Sequence, residues 1–286
     1  MKRIGLLANP TKKRAAEVLN HIAGAARREG LDLLADEDTA LLMDGMKGVG
    51  LGELLDRSQA IMALGGDGTM LRVARDLDGR DVPLIGVKIG GLGFLTSVLE
   101  DDLEHAIRCL ARDDYVVETR TLADAVVLRQ GAEEARYRAL NDVVVRSGDS
   151  MRILTVNVEI DGDAVTSYVC DGLILSTPTG STGHSLSAGG PILTPETPAF
   201  VLSLICPHTL SSRPLVLPDR SEILVRAAHR SGECLLVVDG QIGQSLVKGD
   251  GVLIRRSPHG VRFLHLPGYN YFSVLRQKLH WSGSSV

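Results

Sequence analysis

Residues Ala60-Ile61-Met62-Ala63-Leu64-Gly65-Gly66-Asp67-Gly68-Thr69-Met70-Leu71-Arg72-Val73-Ala74-Arg75-Asp76-Leu77 decide how this chain reads. The apolar run from Ala60 to Leu64 has the length and composition of a strand buried in a parallel sheet. From Met70 onward the apolar residues return at helical spacing, the pattern of an amphipathic helix. Between the two lie three glycines and one carboxylate, so Gly65–Thr69 is a strand-to-helix turn. Glycine has no Cβ, which lets backbone N–H groups approach a ligand and permits positive φ. A helix N-terminus adds about half a positive charge and unsatisfied donors. That combination suits phosphate, and Gly65, Gly66, Gly68 and Thr69 are the expected phosphate loop. An aspartate in such a loop repels phosphate, so Asp67 reads as a base, a metal ligand or an acceptor for a ribose hydroxyl. The plain alternative is a tight turn in which Asp67 caps the helix.

Outward from this turn, the first ~110 residues alternate strand and helix patterns. Ile4–Ala8, Leu31–Ala35, Ala60–Leu64 and Pro83–Val87 read as strands. Ala15–Arg28, a helix from Met70 and Leu103–Arg112 read as helices. Alternation of this kind indicates a parallel sheet flanked by helices, with ligands at the C-terminal ends of the strands. The apolar start at Ile4 is short and ends at Asn9-Pro10, so it reads as a first strand rather than a signal peptide.

From about Tyr115 the pattern changes to short strands separated by Gly, Asp and Asn turns. The expected strands are Val116–Thr119, Leu122–Leu128, Asp142–Arg146, Ile153–Ile160, Ala164–Val169, Leu173–Ser176, Ile223–Ala227, Leu235–Val238 and Val252–Arg255. Asp161-Gly162-Asp163 is a hairpin signal. Only Pro195–Ser203 reads as helical in this half, and Tyr269–Trp281 returns to a helix pattern that we expect to rejoin the first domain. The expected fold is therefore α/β plus all-β, with a parallel-sheet domain (1–114 plus 268–286) and a β-sandwich-like domain (115–267).

Composition narrows the classes. The chain has 286 residues, 44% of them apolar, enough for two ordinary cores. Its net charge of −4 with no basic block, and its aromatic content of 3%, give no nucleic-acid footprint. No apolar run reaches membrane-spanning length. Cys109, Cys170, Cys206 and Cys234 lack metal-type spacing and read as buried thiols of a reducing, cytoplasmic environment. The histidines are scattered without metal-type pairing, so no metal ligands are assigned.

A second polar constellation runs from Asp171 to Gly190. A strand, Leu173–Ser176, leads into seven hydroxyl residues between Ser176 and Ser187, with Gly180 and Gly183 among them. Hydroxyls donate and accept, so such a loop can read ribose, amide and phosphate together. Asn141-Asp142 at a strand start, and Gln241 after Val238-Asp239-Gly240, read either as turn residues or as ligands for vicinal hydroxyls or an amide edge.

Taken together, Gly65–Thr69, Asn141-Asp142 and Asp171–Gly190 resemble the NAD kinase family. The likeness continues through Pro83–Val87, Gly93-Phe94-Leu95-Thr96, Cys206-Pro207-His208, Arg213-Pro214-Leu215 and Asp239-Gly240-Gln241 to Tyr271–Trp281, in order over nearly the whole chain. The first motif is shared with diacylglycerol and sphingosine kinases; the second is far more specific. The resemblance implies phosphorylation of the 2′-hydroxyl of the adenosine ribose of NAD to give NADP. The donor would be ATP or polyphosphate with Mg²⁺, in a homodimer or homotetramer.

By family position, Asp67, Gly68, Arg72, Asn141, Asp142, Arg152, Asp171, Thr182, Gly183, His184, Ser185, Leu186, Ser187 and Gln241 would contact NAD. Asp67 would be the general base, a role typically contributing ~100- to 10,000-fold. Arg72 and Arg152 also read as solvated surface charges. The chain departs from the family pattern at His184, where tyrosine is usual, at Val169, often basic, at Lys88, commonly Asn, and at Gly91, frequently Arg. Lys88 lies near the expected phosphate site. The alternatives are a lipid kinase using the same first loop and a pyridine-nucleotide-binding protein without turnover.

Overall fold

The computed structural model describes residues 1–91, 93–148, 153–209, 212–227 and 234–281. Backbone contacts divide the chain into two compact units, Met1–Thr119 joined by the segment from Val261 onward, and Arg120–Gly260.

The first unit begins β1 (Arg3–Ala8), α1 (Ala15–Glu29), β2 (Asp32–Ala35), α2 (Glu37–Ala40), α3 (Leu51–Arg57), β3 (Ala60–Gly65), α4 (Asp67–Asp76), β4 (Leu84–Lys88) and α5 (Leu103–Ala111). Its strands pair in parallel in the order β2-β1-β3-β4. Every residue of β3 is buried, as expected of an apolar run with neighbours on both edges. α1 and α5 place Val18, Leu19, Ile22, Ala106, Ile107 and Leu110 in one core with β1, β3 and β4. Gly30 closes α1 in the left-handed region at φ 70°, a conformation suited to glycine. After β2 the chain returns across β1 to β3. The sheet therefore reverses its direction of growth between those two strands, the place where open α/β sheets bind ligands. The carboxyl ends of β1 and β3 meet there through the Asn9 N–H, which donates to the Leu64 carbonyl at 2.9 Å.

The second unit is antiparallel. Its elements are β5 (Val116–Arg129), β6 (Ala132–Ala139), β7 (Asp142–Ser147), β8 (Leu154–Ile160), β9 (Asp163–Cys170), β10 (Gly172–Ser176), a 3₁₀ turn at Thr179–Thr182, α6 (His184–Ser187), β11 (Ala199–Ile205), β12 (Leu215–Pro218), β13 (Ile223–Ala227), β14 (Cys234–Val238), β15 (Ile242–Leu246) and β16 (Gly251–His265). One layer runs β12-β11-β10-β7-β14-β15; the other contains β16-β13-β8-β9, with β5 paired to β6. Phe200, Leu173, Leu175, Val145 and Leu236 from the first layer share a core with Val156, Val158, Val225 and Ile254 from the second. This is the expected two-layer β arrangement. β16 ends in the first unit, where Phe263 pairs with Leu84 of β4. α7 (Tyr271–Lys278) follows there, its first turn capped by the Asn270 side chain accepting from the Ser273 N–H at 3.0 Å.

Three expectations change, and β6, β12 and β15 stand where no strand was expected. Pro195–Ser203 is not helical: Ala199–Ile205 is a strand held between β10 and β12. A continuous apolar run fits a buried helix or a buried strand equally, and here its two strand neighbours decide. Val116–Thr119 and Leu122–Leu128 are parts of one strand, because Arg120 is buried within it rather than marking a break. β6 escaped notice because its charges, Arg136 and Arg138, face Asp124 of β5 rather than marking a loop. Cys206 is exposed, unlike Cys109, Cys170 and Cys234. No helix among the described residues is long and apolar enough to cross a membrane.

Candidate functional site

Gly65 leaves β3 with φ 158°, and a Cβ there would fall 2.2 Å from the Thr69 hydroxyl. Gly66, extended, caps α4, and its N–H faces that hydroxyl at 3.5 Å. Asp67 is therefore the first helical residue rather than the cap. Its carboxylate turns away from its own helix: Oδ2 accepts the Phe94 N–H at 2.9 Å and Oδ1 the Leu95 N–H at 3.0 Å. Only glycine fits at position 93, where a Cβ would stand 2.1 Å from Asp67 Oδ1 and 2.6 Å from the Thr96 hydroxyl. The Thr96 Oγ1 is buried without a hydrogen-bond partner. Each carboxylate oxygen keeps acceptor capacity beyond its single N–H bond, so Asp67 is fixed in place yet able to take a further proton or hydrogen bond.

Around this carboxylate the first unit gathers positive charge. The Lys88 ammonium lies near Gly66, 3.1 Å from where a Cβ would be. Burial pushes the Lys88 pKa down, while Asp67 pulls it up and Lys278 and Lys12 press it down again. The Lys278 ammonium stands 5.6 Å from the centre of the Phe94 ring. Arg72, half-buried on α4, donates to the Ala8 carbonyl at the end of β1 at 3.4 Å, so it is held against the sheet rather than freely solvated.

In the second unit the organising group is Asp239, in the left-handed region at φ 51°. Its Oδ2 accepts the Leu140 N–H at 2.9 Å; Oδ1 accepts those of Asn141 at 2.7 Å and Asp142 at 3.1 Å. The Asp239 N–H in turn donates to the Asp142 carbonyl at 3.0 Å. Asp142 is 6% exposed. Burial first, and then the charge of Asp239, raise its carboxyl pKa from 3.8 to about 7. Asn141 Oδ1 is buried and has no hydrogen-bond partner. Its backbone carbonyl accepts from the Thr177 N–H at 2.9 Å, and a Cβ on Gly180 would sit 2.1 Å from that oxygen. Gly180 is thus the close-approach position that seats the 3₁₀ turn on Asn141.

The hydroxyl-rich segment splits in two. Thr177 donates to the Leu140 carbonyl at 2.5 Å, Ser181 to the Pro178 carbonyl at 2.7 Å, and Ser185 shares a 3.1 Å bond with Ser203. These buried hydroxyls build the turn. Thr182 and Leu186 are half-buried, and Gly183, His184 and Ser187 are exposed on α6 and the residue before it. The packing around the His184 ring, with Arg146 nearby, lowers its pKa. Asp171 is exposed; its carboxylate accepts from the Cys206 thiol, and together with its charge this holds that thiol above its usual value. Gln241 is exposed beyond β14, its N–H bonded to the Val238 carbonyl at 3.0 Å. Arg152 lies outside the described residues.

The first unit therefore brings together Asp67, Gly68 and Arg72 of the expected site, and the second Asn141, Asp142 and Thr182–Ser187. Sequence reasoning assigned no role to Asp239, although Asp239-Gly240 after an apolar strand was a visible turn signal. Nor did it see that Gly93–Leu95 would hold Asp67.

Comparison with known proteins agrees with this architecture. Residues 50–115 match the family model of the ATP-NAD kinase N-terminal domain, and residues 140–266 that of the ATP-NAD kinase C-terminal domain. The chain is 39% identical over 282 residues to the NAD kinase of Syntrophotalea carbinolica, covering 98% of this chain and 99% of that one. It is 48% identical over 227 residues to the NAD kinase of Gemmatimonas aurantiaca, covering 79% and 78%. Among solved structures, yeast NADH kinase complexed with NADH superposes with TM-score 0.90 over 100% of this chain and 89% of that one, at 23% identity, a likeness of fold. An Archaeoglobus fulgidus NAD kinase in complex with ATP gives 0.78 over 98% and 100%, at 25% identity. Fold, both glycine-backed turns and relatives matched along nearly the whole chain agree: this chain belongs to the NAD kinase family.

Proposed function

We propose that this protein is an NAD kinase, a phosphotransferase that moves a phosphoryl group from ATP to the 2′-hydroxyl of the adenosine ribose of NAD, giving NADP. The observation that carries the proposal is the Asp67 carboxylate, held by the Phe94 and Leu95 N–H groups at the N-terminus of α4 with acceptor capacity to spare. A ribose hydroxyl is a poor nucleophile at neutral pH, and a positioned carboxylate that takes its proton lowers the barrier. Phosphoryl transfer otherwise depends on alignment and charge neutralisation. The positive N-terminal end of α4 favours phosphate oxygens beside the Gly66 turn.

In the second unit, Asn141 and Asp142 are our candidates for the NAD contacts. The unpartnered Asn141 Oδ1 is what a ligand donor would satisfy. Thr182, Gly183, His184, Leu186 and Ser187 present a rim for the dinucleotide, with Asp171 and Gln241 as further contacts. Ser185 contributes through the turn it builds, since its hydroxyl is bonded to Ser203.

No group of three or more His, Cys, Asp or Glu side chains among the described residues is arranged to hold a metal ion. Mg²⁺ would come with the donor's phosphates and neutralise their charge. Polyphosphate remains a second candidate donor. A homo-oligomer is also part of the proposal; β9 ends its sheet order and carries exposed Val165 and Val169, an apolar surface for a second copy to cover. A cytoplasmic site of action completes it.

The lipid-kinase reading has no support from the relatives. Incubating the purified protein with NAD, ATP and Mg²⁺, and detecting product with an NADP-specific dehydrogenase, tests the proposal. Product that depends on all three is expected; none at any donor concentration would leave a nucleotide-binding protein without turnover.

A further inference from the structure

Resting on the kinase reading, we infer that Lys88 is the side chain with which this protein grips the phosphate chain of its donor, beside the Gly66 turn at the start of α4. The placement follows from the sheet. Lys88 is the last residue of β4 and lies in register with Gly65, the last of β3. The pairing is continued by the Ile89 N–H donating to the Gly65 carbonyl at 2.9 Å, and the Lys88 N–H donates to the Val98 carbonyl at 2.8 Å. The backbone of Lys88 is therefore fixed on both sides, and its ammonium reaches the Gly66 turn. A Cβ on Gly66 would stand 3.1 Å from the ammonium.

Charge balance points to an anion. Lys88 feels Lys12 and Lys278 as like charges and Asp67 as its opposing one. Asp67 already accepts two backbone N–H groups. Burial adds a cost to leaving the Lys88 charge in a half-desolvated place. A linear phosphate chain would offset the surplus and satisfy the ammonium with charge-assisted hydrogen bonds. It would also meet the positive end of α4, a helix of ten residues. Lysine serves here as a point charge that can follow the phosphate, not as a planar fork.

The test uses two phosphate chains, inorganic tripolyphosphate and ATP, and two variants, Lys88→Met and Lys88→Arg. Calorimetric binding of tripolyphosphate needs no turnover. Lys88→Met is expected to weaken it by about tenfold or more, and Lys88→Arg by less than about threefold. In kinase assays the KM for ATP should rise by a similar factor while the KM for NAD stays within about twofold. Equal loss for both chains assigns Lys88 to phosphate itself; loss for ATP alone would place it on the nucleoside and overturn the inference. Unchanged tripolyphosphate binding in Lys88→Met, or a wild-type protein that does not bind it, would also overturn the inference. Should Lys88→Met lose its thermal transition, Lys88→Gln takes its place with the same expectations. Lys88-dependent tripolyphosphate binding in a protein that makes no NADP would refute the kinase reading and leave only the assignment of Lys88 to a phosphate chain.

Discussion

Each of the two units uses an aspartate to gather backbone N–H groups, and the two differ in what is left over. Asp67 accepts one N–H on each oxygen and stands half-buried among cations. Asp239 accepts three, from Leu140, Asn141 and Asp142, is buried, and raises the pKa of a neighbouring carboxyl. Each unit also seats a glycine where a Cβ would stand 2.1 Å from a neighbouring oxygen, Gly93 against Asp67 Oδ1 and Gly180 against the Asn141 carbonyl. The difference separates a carboxylate with capacity to react from one committed to shape. Asp67 is held but unsaturated; Asp239 orders a turn and fixes the backbone of Asn141 and Asp142.

The sharpest way to break this contrast is at Gly93. Gly93→Ala would push its new methyl into the Asp67 carboxylate and move it off its seat. A displacement on the order of 1 Å in such a group costs about 100-fold in turnover. We expect kcat to fall by that factor with the melting temperature little changed, because the atom that yields is a side chain. A fall in stability with kcat intact would show that Gly93 matters only for packing.

The matching change in the second unit is Asp239→Asn. An amide cannot accept three N–H groups as a carboxylate does, and hydrogen bonds to a charged group are worth about 1.5–3 kcal/mol each. A loss of about 2–4 kcal/mol is expected in denaturant titration, with a KM for NAD raised about tenfold. A kcat that fell as far as in Gly93→Ala, with KM unchanged, would erase the distinction between the two aspartates.

Asp142 sharpens the comparison through pH. Its carboxyl, raised from 3.8 to about 7 by burial and by Asp239, binds its proton more tightly folded than unfolded. The stability it contributes is therefore fully present below about pH 4, and is lost as pH rises through about 7. Asp142→Asn should flatten that part of the melting-temperature profile. An unchanged slope would assign it to other groups. The smallest effect is expected at His184→Tyr, an exposed position, where rates with NAD and NADH should shift relative to each other by about two- to fivefold. Identical rates would remove His184 from the dinucleotide contacts.

Local patterns carried much of this into view. Gly65–Thr69 was legible because strand, glycine turn and helix follow one another between Ala60 and Leu77, each with its own periodicity. The parallel sheet and the change of pattern near Tyr115 were legible for the same reason. What escaped depends on contacts distant along the chain. Asp239 acts on residues nearly a hundred positions earlier, and Phe94 and Leu95 reach Asp67 across 27 and 28 positions. No local spacing records such pairs. Ala199–Ile205 was misread because its own residues suit either helix or strand, and only β10 and β12 beside it decide. The hydroxyls of Thr177, Ser181 and Ser185 turn inward to build the turn, which composition alone does not record.

The central claim is that the Asp67 carboxylate takes the proton from the ribose hydroxyl as the phosphoryl group arrives. Single-turnover formation of NADP by Asp67→Asn, with NAD, ATP and Mg²⁺ saturating, tests it directly, because the amide keeps the size of the side chain and discards the base. A rate at least about 100-fold below wild type, with NAD still bound and the melting temperature retained, is the expected result. A variant that forms NADP at close to the wild-type rate would contradict it.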